Sequence, residues 1–106
     1  MRVMVYAPDL MDRSRVSSTG VTVEFVADPA QLVAEALEPS DLVLVDLARS
    51  GVLDLLSSIT ARTVGFAAHV DEALIAAARV AGCDEVLARS VFFRRLPKLL
   101  GSGTHS

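Results

Sequence analysis

Five short runs of apolar, largely β-branched residues recur along the chain at Val3–Tyr6, Val21–Val26, Leu42–Leu47, Thr63–Ala68 and Glu85–Ala88, each bounded by turn or capping residues. They predict five strands. In the second run Val21, Val23 and Phe25 alternate with Thr22 and Glu24, the pattern of a half-exposed edge strand. The first, third and fourth are almost continuously apolar, as parallel strands buried on both faces are.

The segments between them carry helical signals. Asp28-Pro29-Ala30-Gln31 supplies an N-cap, a proline at the first helical position and a capping-box Gln, predicting a helix through about Glu38 that Pro39 closes. Asp71 and Glu72 open an Ala-rich helix that runs to Ala81 and stops at Gly82, a left-handed C-cap. Val52, Leu55, Leu56 and Ile59 fall at helical spacing and predict an amphipathic helix from Gly51 to Ile59. The first crossover, Asp9 to Gly20, has room for about two turns, because Ser14, Ser17, Ser18, Thr19 and Gly20 erode its second half. The last helix is expected to start with Ser90 as N-cap and to break near Leu96, because Pro97 removes a backbone donor. Residues 101–106 read as a disordered tail after a single domain spanning residues 1–100.

Strict alternation of strand and helix predicts a parallel sheet with right-handed crossovers and helices on both faces. The fold class is therefore α/β, a doubly wound five-stranded sheet of order 2-1-3-4-5 in three α/β/α layers, the flavodoxin-like plan. In that plan a ligand crevice lies at the carboxyl ends of the strands, near the ends of strands one and three.

Composition narrows the function. With 106 residues there is room for one core and not two. The apolar fraction of 52% comes from Val, Leu and Ala, while aromatics are only 5% and offer few stacking platforms for bases. The net charge is −3 and the cations form no long stripe, which disfavours a nucleic-acid partner. Cys83 is a single cysteine, so no internal disulfide forms, and beside an apolar helix it reads as a small buried hydrophobe. The opening Met1-Arg2-Val3-Met4-Val5-Tyr6 is broken by Pro8 and Asp9, too soon for a signal peptide, and no run approaches the roughly 18 apolar residues of a membrane span. The expectation is a cytoplasmic protein with no membrane partner.

Two stretches carry a family resemblance. Asp41-Leu42-Val43-Leu44-Val45-Asp46-Leu47 resembles the third strand of a response-regulator receiver domain, which ends in the phosphoacceptor aspartate. Ala76-Ala77-Ala78-Arg79-Val80-Ala81-Gly82-Cys83-Asp84-Glu85-Val86-Leu87-Ala88-Arg89-Ser90 resembles that family's fourth helix, Gly-Ala-Asp turn and fifth strand ending in Lys-Pro. The similarity follows the whole chain in order and spacing. It implies Asp46 as the acceptor-equivalent, but the chemistry around it departs from the family. Mg²⁺ needs carboxylates beside the acceptor, and the acidic pair after strand one is replaced by Ala7 and Pro8, with Asp9 one place further on. The hydroxyl residue at the end of strand four is matched by Ala68, and the lysine after strand five by Arg89. Arg binds phosphate but does not stand in freely for Lys.

Asp9, Asp46, His69, Arg89 and Ser90 are each expected at or just past a strand end, on the edge where a crevice would lie. His69 beside Asp46 or Asp9 would make a tuned imidazole, or an anion pocket with Arg89. Equally, strand ends are where polar residues occur, with Ser90 as a helix cap and Asp46 bonding a loop amide. His69, Asp71 and Glu72 are too few for a zinc site. Neither a Gly-rich phosphate loop nor a Gly-x-Ser-x-Gly elbow is present. Arg94, Arg95 and Lys98 form a small basic face on the last helix, and the resemblance makes Ile75, Val80, Phe92 and Phe93 candidates for a homodimer face.

The leading expectation is a stand-alone, degenerate receiver-like domain that acts in signalling or regulation by contact with a protein partner or a second copy. It carries no catalysis, no cofactor and no DNA-binding output domain. A small anion- or ligand-binding domain, conceivably a minor enzyme using Asp46, His69 and Arg89, is the first alternative. A phosphorylated receiver, with Asp46 as acceptor and Mg²⁺ held by Asp9 and Asp46, is the second.

Overall fold

The computed structural model describes residues 1–101; residues 102–106, which include His105, lie outside the described part. Five strands form one parallel sheet of order β2-β1-β3-β4-β5, with β1 at Val3–Tyr6, β2 at Glu24–Phe25, β3 at Leu42–Asp46, β4 at Arg62–Ala67 and β5 at Glu85–Ala88. Helices α1 (Leu10–Ser17), α2 (Ala30–Ala34), α3 (Val52–Leu55), α4 (Glu72–Ala81) and α5 (Arg89–Gly101) fill the crossovers, and a 3-10 turn, Leu56–Ser58, follows α3. The doubly wound fold read from the sequence is the fold observed.

Each central strand divides its side chains between two cores, as the two-residue period of a strand requires. Val3, Val5, Leu42, Leu44, Val64 and Phe66 pack on one face with Val16 of α1 and the buried residues of α5. Met4, Tyr6, Val43 and Val45 pack on the other, against Leu32 of α2, Val52 of α3 and Ala78 of α4. Phe66 and Phe92 stack at 4.3 Å between ring centroids, and Phe93 meets both rings edge-on. α4 has the ends its sequence predicts, with the Asp71 carboxylate accepting from the Leu74 N–H at 2.8 Å and Gly82 at φ 110° closing it. Gly65 lets β4 pass close to Leu47: a Cβ there would stand 2.6 Å from the Leu47 side chain, which would have to shift to admit it.

Several boundaries differ from the sequence reading. β2 is two residues long, because its register sets Glu24 opposite Met4 and leaves Val21 and Thr22 beyond the start of β1, with no strand to pair. α2 ends at Ala34 instead of Glu38: the Asp41 carboxylate accepts both the Glu38 and the Arg2 backbone N–H at 2.8 Å, a local alternative to helical bonding that lets Leu37 turn into the core. Pro29 takes the cap position, while the Asp28 carboxylate accepts from the Ala30 N–H and Gln31 Oε1 from the Ala27 and Asp28 N–H groups.

α5 does not break at Pro97. A proline inside a helix costs about 3 kcal/mol. Phe92, Phe93, Leu96, Leu99 and Leu100 are all buried by this helix, and at roughly 1.5–3 kcal/mol for each large side chain the burial outweighs the proline. α5 also begins at Arg89, directly after β5, so Ser90 is an exposed residue of the first turn and not the N-cap. Gly101, placed in the tail by the sequence, is the last residue of α5.

Candidate functional site

At the carboxyl ends of the strands, β3 delivers Asp46 into a nearly closed position, 4% exposed. Its carboxylate accepts from the Ala48 N–H at 3.0 Å and from Arg49 Nε at 3.3 Å. β1 runs out into Ala7 and Pro8, neither of which offers a side-chain ligand. Asp9 follows as the N-cap of α1, accepting from the Met11 N–H at 2.8 Å and the Asp12 N–H at 3.2 Å. A carboxylate in that place satisfies helix-end donors and meets the positive end of the helix dipole.

The residue that organises this edge is one the sequence reading did not single out. Asp12, in the first turn of α1, is 1% exposed. Its Oδ1 forms an ion pair and hydrogen bond with the guanidinium of Arg89, which reaches over from the start of α5. Arg89 lies near the rings of Phe66, at 5.8 Å, and Phe93, at 6.0 Å from guanidinium carbon to ring centroid. The aromatic core thus supports the cation from below. The second oxygen of Asp12, Oδ2, is buried and has no hydrogen-bond partner among the described residues. Burial pushes the Asp12 carboxyl above its ordinary value, the neighbouring charges of Asp9 and Asp46 add to the rise, and Arg89 offsets part of it. Arg13 adds a further guanidinium here, donating from Nε to the Ala7 carbonyl at 3.1 Å.

Asp46, His69 and Arg89, expected to converge, do not make one site. Arg89 turns to Asp12, and Asp46 turns to Ala48 and Arg49. His69 is exposed in the bend after β4, and among the described residues it forms no hydrogen bond or ion pair with either. The proposed dimer face does not exist as an apolar surface either: Phe92 is 0% and Phe93 7% exposed, because both fill the core under the sheet. Ile75 is half-buried and Val80 stands alone at 89% exposure. Cys83 is buried, with Sγ donating to the Glu85 carbonyl at 3.1 Å, and burial pushes its thiol up, as expected of an inert core cysteine.

The donors present do not fit a Mg²⁺ ion. A hard cation needs several carboxylate or carbonyl oxygens turned toward one point. Here Asp9 caps a helix, Asp46 is held by Ala48 and Arg49, and Asp12 already faces the positive charge of Arg89. No cluster of three potential ligands occurs among the described residues. No local sequence signal marks Asp12, which with Val16 makes up the buried residues of α1, because the partner that accounts for its burial is distant in the chain.

No family model matches the chain, and no curated protein matches it. Solved structures do. The signal receiver domain of the response regulator NarL from Mycobacterium tuberculosis superposes with a TM-score of 0.77 at 19% identity, covering 96% of this chain and 94% of that one. A response regulator from Colwellia psychrerythraea gives 0.71 at 16% identity, over 95% and 97% of the two chains. A pilus assembly protein, CpaE, from Burkholderia thailandensis gives 0.69 at 17% identity, over 96% of each chain. With the strand order and the carboxyl-edge geometry already described, these likenesses establish that the chain has the fold of a response-regulator receiver domain.

Proposed function

We propose that this chain is a receiver-fold interaction module whose acceptor crevice is occupied by its own Arg89–Asp12 ion pair instead of by Mg²⁺ and a phosphoryl group. The observation that carries the reading is the direction of Arg89. A phosphoryl group on Asp46 needs a cation free to meet its developing charge, and the cation at the end of β5 is paired with a buried carboxylate. Ala68, exposed after β4, brings no hydroxyl, and Ala7 and Pro8 bring no metal ligand.

Such a domain acts without catalysis, through its surface and a protein partner. The solved structures of the same fold support this division, since their descriptions include both response regulators and a pilus assembly protein. One scaffold serves different tasks, and task is carried by sites grafted on the fold. The reading as an anion-binding pocket loses its support, because Arg89 is neutralised and His69 stands apart.

The test is a Mg²⁺ titration followed by the backbone amide signals of Asp9, Asp46, Leu47 and Ala48. The module reading expects no saturable shift up to about 10 mM, well above the range in which dedicated carboxylate sites bind divalent cations. A saturable shift confined to these amides and abolished by Asp46→Asn overturns it.

A further inference from the structure

The chain segregates its charge. It has no Lys or Arg between Arg15 and Arg49, and no Asp or Glu after Glu85. The strand register brings parts of these two stretches to the same end of the sheet, the amino-terminal ends of the strands, opposite the crevice. Across that end, Glu24 stands beside β1, Leu42 pairs with Arg62, and Val64 pairs with Glu85.

At the β2 edge, Glu24 and Glu35 both pair with Arg2, and Glu38, whose backbone N–H shares the Asp41 carboxylate with that of Arg2, adds a third acid. Arg2 bonds Glu24 at 2.7 Å and Glu35 at 2.8 Å, both pairs exposed, and Glu38 is exposed beside them. Three carboxylates against one guanidinium leave this edge at −2. The Met1 ammonium and Asp41 lie next to it and offset one another.

At the β5 edge the balance inverts. Arg62 and Arg95 share one carboxylate, Glu85, at 3.2 and 3.3 Å, and the exposed Lys98 completes a groove of about 480 Å³. Three cations against one carboxylate leave +2. Each guanidinium carries five N–H donors, so one shared carboxylate leaves most of them for another acceptor.

The two edges are four strand spacings apart, roughly 19 Å, more than twice the Debye length of about 8 Å at physiological salt. Neither edge therefore screens the other. We propose that this end of the molecule is a self-complementary interface, and that its occupant is a second copy of this chain. A two-fold axis along the sheet normal turns one copy end to end and edge to edge. It sets the Glu35–Glu38 edge of each copy into the Arg62–Arg95–Lys98 groove of the other. The same contact forms twice and the assembly closes as a dimer. The interface is separate from the crevice, so it stands or falls independently of the reading of Asp46.

The test is sedimentation equilibrium of the full chain at about 20 mM and about 500 mM salt, where screening differs several-fold. The monomer mass is 11.2 kDa. The wild type moves toward twice that mass with rising concentration at low salt and returns to monomer at high salt. The reversals Glu35→Lys/Glu38→Lys and Arg95→Glu/Lys98→Glu are each monomeric alone, since like charges then face each other at both contacts. An equimolar mixture of the two restores the dimer. Circular dichroism verifies that both variants fold. A wild type that is monomeric throughout, a dimer that ignores the reversals, or a mixture that stays monomeric overturns the proposal.

Discussion

Arg89 pairs with Asp12, a residue buried in the first turn of α1, and leaves Asp46 to the Ala48 amide and Arg49. The pair joins the start of α5 to the start of α1 across the ends of the central strands. It places a cation and a carboxylate, both supplied by the protein, at the edge where receiver chemistry would need a free cation and a metal.

Breaking that pair from the Arg89 side strands a buried charge. Removing one partner of a fully buried pair costs about 3–5 kcal/mol. The Arg89 side chain is 34% exposed, so solvent screening lowers the expected loss for Arg89→Met to about 1–3 kcal/mol. Urea unfolding measures it. The double variant Asp12→Leu/Arg89→Met should recover most of the loss, because it leaves no unpaired charge. A double variant as unstable as the sum of the single ones would show that the two side chains do not act as a pair.

The raised carboxyl of Asp12 fixes a direction for pH. The folded protein holds a proton on Asp12 at pH values where the unfolded chain, near 3.8, has released it. Asp12 therefore contributes most to stability below that value, and its contribution falls as pH rises through the raised one. Asp12→Asn removes this slope. The stability of the Asn variant relative to the wild type should improve from about pH 4 to about pH 7, measured by denaturant unfolding across that window. A difference that stays flat, or worsens with pH, contradicts the raised value.

Pro97 is tolerated in α5 because the buried face of the helix holds it, and its own side chain is exposed. Pro97→Ala restores a backbone donor while adding conformational freedom to the unfolded chain. A net gain of about 1 kcal/mol is expected, well below the full helix-interior penalty of about 3. A loss on thermal unfolding would mean that the proline ring packs to advantage.

The order of elements and the parallel sheet were legible because nearly continuous apolar strands and capped helices leave strong local signals. Val3–Tyr6 and Leu42–Asp46 read directly as buried strands, and Asp71 with Gly82 read directly as helix ends. What failed was non-local. Val21 looks like a strand residue until the register with β1 leaves it unpaired. Phe92 and Phe93 look like surplus surface until Phe66 is seen stacked on the one and edge-on to the other. Asp12 reads as an ordinary helix residue, since the guanidinium that justifies its burial lies 77 positions away. His69 and Arg89 share an edge of the sheet by spacing, but Arg89 pairs with Asp12 instead.

On the function proposed above, Asp46 does not accept a phosphoryl group. The most direct measurement is the intact mass of the full chain after incubation with Mg²⁺ and a small phosphodonor such as acetyl phosphate, with Asp46→Asn alongside. Both proteins are expected to keep their starting mass. One added phosphoryl group on the wild type, absent from the Asn variant, would contradict it.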